Sequence, residues 1–370
     1  MTGLPPYGLG TLPAGIRTRV VEGVNGLAMH VLEAGHAGRP VLLLLHGFPE
    51  LAYSWRKVML PLADAGYHVI APDQRGYGRT TGWDPAYDGD LDSFRQPNLV
   101  EDAAALLARL GHASVAAVIG HDFGASVAAW GALLRPEVFR AVVLMSAPFG
   151  GPPTPGAPSR EGLFAALGTL ARPRKHYQDY YGTRAADADM RDAPQGIHAF
   201  LRGYFHMKSA DWRQNRPFAL AGFTAEEFAK MPTYYVMDRD KTMAETAAAE
   251  MPSAAEVAAC RWLPDVELAV YAVEYARTGF QGGLQWYRCR QGKYVAELTR
   301  YAGRTIDVPA CFIAGKSDWG VHQTSGALER MATGACTRWR GTHLVDGAGH
   351  WVQQEQPEAV VRLLLDFLRG

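Results

Sequence analysis

Val118-Ile119-Gly120-His121-Asp122-Phe123-Gly124-Ala125 carries an apolar β-type run into a helix-forming one, and its reading decides the fold. The spacing Gly-x-Asp-x-Gly is that of a nucleophile elbow, a sharp strand-to-helix turn that exposes its central side chain, with Asp122 where Ser is usual. Glycine belongs at the flanks because such a turn crowds its neighbours, and only a residue without a β-carbon relieves the crowding. An aspartate with a reference pKa of about 3.9 is ionised at neutral pH and attacks carbon without a base to deprotonate it. Taken alone, the turn fits equally well an aspartate that caps a helix.

Working outward, Val41 to Leu45, Tyr67 to Ala71, Val115 to Ile119 and Ala141 to Met145 read as short buried strands separated by helical patterns. This alternation predicts a mostly parallel central sheet flanked by helices. Asn98 and Glu101 have the spacing of a capping box, and Leu99, Ala103, Leu106, Leu107 and Leu110 fall on one helical face behind it. After Pro148 a Gly/Pro-rich hinge, Gly150 to Pro158, leads into Ala-, Tyr- and Trp-rich helical sequence without β-type runs. The β/α texture resumes at Val308 to Ala314. It ends in an amphipathic helix from Pro357, with Val360, Val361, Leu364, Leu365 and Leu368 as its apolar stripe. The expected organisation is a first core part over 1–148, a helical cap over 149–303 and a second core part over 304–370.

Composition narrows the function. Of 370 residues 48% are hydrophobic and 20% charged, and 37 basic residues cancel 37 acidic ones, so nothing favours nucleic acid or an anionic membrane as partner. No stretch reaches the length of a membrane span, and the start of the chain lacks a basic run followed by an apolar one. The four cysteines Cys260, Cys289, Cys311 and Cys336 form no CxxC pair, which suggests neither zinc nor a disulfide framework and fits a cytoplasmic location.

The order of several short motifs then resembles the soluble epoxide hydrolases of the α/β-hydrolase superfamily. His46-Gly47-Phe48-Pro49 follows the first long apolar run, as the family's H-G-x-P loop does, and Asp73-Gln74-Arg75-Gly76-Tyr77-Gly78 resembles its D-x-R-G-Y-G turn. Gly120 to Gly124 resembles its nucleophile turn. Gly283-Leu284-Gln285-Trp286-Tyr287-Arg288 resembles the cap motif ending in N-W-Y-R, with Gln285 in place of Asn. The resemblance spans Val41 to Leu368. It implies an α/β-hydrolase fold with an inserted helical cap and hydrolysis of an epoxide to a vicinal diol through an ester on Asp122.

An ester needs a base to drive water onto it, and imidazole, with a reference pKa of about 6.5, suits that role. His350, in Gly347-Ala348-Gly349-His350-Trp351 before the last helix, stands where the superfamily has its catalytic histidine. Asp318, just past the run ending at Ala314, matches the acid that orients it, and Asp346 competes for that place. The resemblance and the elbow both point to the backbone N–H groups of Phe48 and Phe123 as donors to a tetrahedral oxyanion, with Pro49 holding Phe48, if need be through a cis bond. Phenols, with a pKa of about 10, remain proton donors at neutral pH. The cap motif names Tyr287 as one donor to the epoxide oxygen. His176-Tyr177-Gln178-Asp179-Tyr180-Tyr181 resembles the family's Y-x-x-x-F-Q stretch and selects Tyr177 as the other, with Tyr180 and Tyr181 as competitors. His46, Pro49, Trp286 and Trp351 are expected to contact substrate.

Haloalkane dehalogenases of the same fold share the aspartate but usually have Trp after it, and haloacid dehalogenases prefer Arg; here the residue is Phe123. A binding module with a dead pocket is the reading from another class, and such proteins usually lack a triad member. The expected partners are an epoxide and water, with no cofactor, metal, nucleic acid or membrane, and the sequence leaves the oligomeric state open. The stretch 182–250 has no assignable family counterpart, and Tyr234, Tyr235 and Met237 within it fit either the lining of an entrance or packing under the lid, of which packing is favoured.

Overall fold

A computed structural model of the chain describes residues 4–156 and 160–370; Ala157 and Pro158 of the expected hinge lie outside them. The strands are β1 (Arg17–Val24), β2 (Leu27–Ala34), β3 (Val41–Leu45), β4 (His68–Pro72), β5 (Ala117–His121), β6 (Val142–Met145), β7 (Arg174–His176), β8 (Val236–Asp238), β9 (Ile306–Gly315) and β10 (Cys336–Val345). Eight of them form one sheet in the order β1-β2-β4-β3-β5-β6-β9-β10. The first two pairings are antiparallel and the rest parallel. Every residue of β3, β4, β5 and β6 is buried, which follows from helices covering both faces and explains their unbroken apolar runs. The parallel strands bring His46, Asp122, Ser146 and Lys316 to one edge, the carboxyl edge where open α/β sheets bind ligands.

Two local expectations are corrected. Asn98 and Glu101 form no capping box: the helix Gln96–Arg109 starts earlier, with Arg95 in extended conformation at its N-cap and Pro97 in its first turn. The fixed φ of proline suits that turn, while Asn98 donates to the Ser93 carbonyl and Glu101 pairs with Arg135. The insertion between β6 and β9 is not purely helical, since β7 and β8 pair antiparallel within it. Strands of three residues are too short to show a period of two. Helix Pro357–Arg369 buries Val360 and Leu364 fully, and Val361, Leu365 and Leu368 only partly. Among the described residues no helix is long and apolar enough to cross a membrane.

Candidate active site

At the end of β5 the chain turns at Asp122, whose φ of 52° and ψ of −116° lie outside the regions ordinary residues favour. The turn tolerates nothing bulkier at its flanks: a β-carbon on Gly120 would lie 2.1 Å from the Gly124 carbonyl oxygen, and one on Gly124 2.1 Å from that of Leu45. The helix Phe123–Leu134 begins at once, so the Phe123 N–H is among the unpaired donors of its first turn. Across the turn, the Phe48 N–H donates to Asp122 Oδ1 at 3.0 Å, and the Phe48–Pro49 bond is cis. These are the two backbone groups expected to face an oxyanion.

His350 reaches the same point from the loop after β10. Its Nε2 lies 3.4 Å from Asp122 Oδ2, in an alignment that makes no hydrogen bond. Its Nδ1 sits 3.1 and 3.2 Å from the two oxygens of Asp318, which fixes the proton on Nδ1 and leaves Nε2 as the basic atom towards Asp122. Asp318 also accepts the Gly320 N–H at 2.7 Å. Burial would raise the Asp318 carboxyl, but the His350 ring and this N–H hold it below the usual carboxylate range. Asp346 is not its substitute: its side chain is 84% exposed and pairs with Lys316.

The backbone of His350 is held from three sides. Its N–H donates to the Lys208 carbonyl at 2.8 Å, and its carbonyl accepts from His121 Nε2 at 2.6 Å and Ser146 Oγ at 3.0 Å. Glu355 accepts the N–H groups of Ala210, Gly349 and Trp351 at 2.8 to 2.9 Å, tying the histidine loop to the insertion. His121 Nδ1 meets Glu50 Oε2 at 2.5 Å. With acceptors at both ring nitrogens, His121 carries two protons: burial disfavours that charge, but the Glu50 carboxylate outweighs it and raises the imidazole pKa.

Lys208 adds a further buried cation, its Nζ 5.0 Å from the Tyr235 ring centroid and 5.4 Å from those of Tyr204 and Trp351. Burial lowers its pKa against the pull of Asp122, Asp318 and Glu50. Burial alone would likewise raise Asp122, but His350, Lys208 and His121 together hold it far below the usual range, so the carboxylate stays charged. Glu50, His121 and Lys208 escaped the sequence reading. An acid directly after H-G-F-P and a histidine directly before Asp122 were the available signals; Lys208 lies in the unassigned stretch 182–250.

Opposite Asp122 the insertion supplies aromatic groups. A cavity of about 70 Å³ is lined by Asp122, Phe123, Tyr177, Tyr287, Arg160 and Arg290 among others. The rings of Tyr177 and Tyr287 are 5.8 Å apart. Burial first, with the Asp122 charge adding to it, raises both phenols well above their ordinary pKa, so both keep their protons. The Tyr177 hydroxyl donates to Gln323 Oε1 and accepts from Gln178 Nε2, each at 3.0 Å. Its competitors are engaged elsewhere: the Tyr180 hydroxyl donates to Asp189 at 2.7 Å, and that of Tyr181 to Tyr204 at 3.2 Å. Gln285 fits the place of the family's Asn by donating to the Ala86 carbonyl at 2.9 Å and accepting from Arg288 at 2.8 Å.

The four residues expected to touch substrate, His46, Pro49, Trp286 and Trp351, are buried and are not among those that line this cavity. His46 Nε2 accepts the Gln74 N–H, Trp286 donates to the Arg75 carbonyl and Trp351 to that of Phe205; Pro49 serves the turn that aims Phe48. Tyr234, Tyr235 and Met237 are buried packing residues, as expected.

Comparison with known proteins is consistent with this arrangement. The α/β-hydrolase-fold family profile matches residues 40–195. The chain is 36% identical over 365 residues to Epoxide hydrolase A of Mycobacterium tuberculosis, covering 96% of this chain and 98% of that protein. It is 34% identical over 345 residues to an epoxide hydrolase of Caballeronia sordidicola, covering 93% and 92%. Among solved structures, an epoxide hydrolase from an endophytic Streptomyces superposes with a TM-score of 0.79 at 30% identity, covering 97% of this chain and 96% of that one.

Proposed function

The chain belongs to the epoxide hydrolase family of the α/β-hydrolase fold, and on that premise we propose that it adds water to an epoxide through an ester on Asp122. The Asp122 carboxylate attacks one epoxide carbon and the C–O bond to that carbon breaks. Tyr287 and Tyr177 donate to the departing oxygen, which takes up a proton and becomes the first hydroxyl of the diol. His350, oriented by Asp318, then removes a proton from water, and the resulting hydroxide attacks the ester carbonyl. The tetrahedral oxyanion is met by the Phe48 and Phe123 N–H groups. Its collapse frees the diol and the carboxylate, and the proton on His350 balances the one the phenol gave up, so the net change is one water added.

The observation that carries this reading is the opposition across one cavity of an ionised carboxylate and two protonated phenols, with an imidazole 3.4 Å behind the carboxylate. Residues 149–303 act as the cap that carries the phenols. The four unpaired cysteines support a reducing, cytoplasmic setting. A single turnover in oxygen-18 water is the test. The first equivalent of diol should carry no label, and one oxygen of Asp122 should become labelled. Label in the first diol with none in Asp122 would sink the covalent route. Asp122→Ala should lose more than about 10⁴-fold in turnover, since no other group in the cavity can form the ester.

A further inference from the structure

One buried cation close to the catalytic groups has no part in the steps above. Lys208 ends the helix Ile197–Lys208 of the insertion and is 3% exposed. Its Nζ stands among aromatic rings, 5.0 Å from the centroid of Tyr235, 5.4 Å from those of Tyr204 and Trp351 and 6.0 Å from that of Tyr234. Among the described residues the ammonium forms neither a hydrogen bond nor an ion pair, and the undescribed residues contain no acid. An ammonium buried without an acceptor costs free energy that ring faces only partly offset. Methionine would fill the same space without that cost.

The rings that box Lys208 are neighbours of the catalytic groups. Trp351 follows His350, and its ring is 4.7 Å from the imidazole. Tyr235 packs on Tyr177 at 5.2 Å and Tyr204 on Phe48 at 6.5 Å. The lysine is also joined to the base through its backbone, since its carbonyl accepts the His350 N–H at 2.8 Å; exchanging the side chain leaves that bond in place. In the resting enzyme three carboxylates pull on the ammonium, Asp122 first, then Asp318 and Glu50. Ester formation removes the Asp122 charge. Asp318 remains engaged with His350 and Glu50 with His121, so the Lys208 charge then acts on the imidazole with less opposition. A cation nearby disfavours a second proton on imidazole, whereas the resting Asp122 carboxylate favours it. Formation of the ester thus turns the surroundings of His350 from those that suit an imidazolium to those that suit a base.

We propose that Lys208 is a positioning residue for the second step, its ammonium keeping His350 neutral, and therefore basic, once Asp122 carries the ester. The inference rests on the two-step epoxide hydrolysis proposed above. Lys208 is not among the residues that line the cavity, so it acts through His350 and not on the substrate. The other charged or titratable groups around His350 are Asp318 and Asp122 at its ring nitrogens, and His121 at 4.9 Å ring to ring with Glu50 beyond it. Glu355 holds the Gly349 and Trp351 N–H groups, and His322 lies in the helical turn after Asp318. Around Lys208, besides the three carboxylates, stand the phenols of Tyr204, Tyr234 and Tyr235, which burial keeps protonated. All of these groups are common to the variants compared below and shape each pH profile alike.

The test follows loss of the ester in single turnovers of styrene oxide, quenched and read by mass spectrometry on the Asp122 peptide, between about pH 5 and 8. In the wild type the rate should rise with pH to a plateau as His350 loses its second proton. In Lys208→Met the rise should move to higher pH by about one unit, a loss of about tenfold at the acid end with the plateau kept. Lys208→Gln, a second uncharged variant, should do the same. Lys208→Arg keeps the charge and should keep the wild-type profile. A role in packing alone would lower the rate at every pH and leave the midpoint where it is. A midpoint that stays in place in the uncharged variants, or moves as far in Lys208→Arg as in Lys208→Met, would overturn the proposal. Absence of any ester on Asp122, in the wild type and in His350→Gln alike, would instead remove the reading on which the proposal stands.

Discussion

The two sides of the cavity are built on opposite principles. The core side is charged and held by backbone: Asp122 accepts the Phe48 N–H, Asp318 accepts the Gly320 N–H, and His350 is fixed through its own N–H and carbonyl. The insertion side offers the cavity two uncharged phenols, with the cations Lys208, Arg160 and Arg290 around them, and is held by ring packing and side-chain hydrogen bonds, Tyr287 against Phe123 at 4.5 Å and Tyr177 between Gln178 and Gln323. Backbone held at strand ends fixes a nucleophile and its base to a few tenths of an ångström. Long side chains on a separate layer can close over substrates of different shape. On the proposed mechanism, the difference matches bond-making with Asp122 and water to the core, and proton donation and substrate selection to the insertion.

Removing the base should break the comparison most visibly, because it separates the two chemical steps. His350→Gln should lose more than about 10³-fold in turnover while ring opening survives. One equivalent of epoxide would then remain on the enzyme, read by mass spectrometry as an adduct on the Asp122 peptide. A dead enzyme without an adduct would mean that His350 is needed for ring opening too, and the division between the two sides would fail.

The cap side should give smaller losses. Tyr287→Phe and Tyr177→Phe should each slow single-turnover ring opening by about 10- to 100-fold, leaving the second hydroxyl to donate, and together by about 10³-fold. Tyr180→Phe should stay within about twofold, since its hydroxyl is committed to Asp189. A larger loss from Tyr180→Phe than from Tyr177→Phe would reverse the assignment of the second donor.

This contrast also explains what could be read from sequence. The core side was legible because each of its groups sits within a few residues of a strand end, so a motif and its strand declare one another: His46 to Pro49 after β3, Asp122 after β5, Asp318 after β9. The cap was half legible. Tyr287 lies in a compact motif, whereas Tyr177, Tyr180 and Tyr181 separate only by where the hydroxyls point. The groups left unread are those whose meaning depends on distant partners. Glu50 and His121 are 71 residues apart, and Arg56 donates to Gln354 across 298. Lys208 and Arg160 are unremarkable in the sequence and gain significance only beside the cavity. For Trp286 and Trp351, position inside a motif suggested substrate contact, and only the structure shows that the indole N–H of each pins a backbone carbonyl.

The smallest effect probes the core side through its stability. Asp73, at the end of β4, is fully buried and accepts from the Ala52 and Arg79 N–H groups and the Tyr7 hydroxyl, with His30 Nδ1 at 2.8 Å. Burial would raise its pKa, but His30, then His46 and the Arg79 N–H, lower it from 3.8 to about 2. A carboxyl whose folded pKa is depressed stabilises the fold above its unfolded pKa and loses that contribution as pH falls through the folded value. Asp73 should therefore contribute about 2 kcal/mol at neutral pH, present above about pH 4 and lost as pH falls towards 2. Urea unfolding of the wild type and Asp73→Asn at pH 7 and pH 3 reads this directly. The gap between the two should narrow by about 1 kcal/mol at the lower pH. An unchanged gap would mean that the carboxylate's charge contributes nothing and that shape alone holds the turn carrying Arg75 and Tyr77 under the cap.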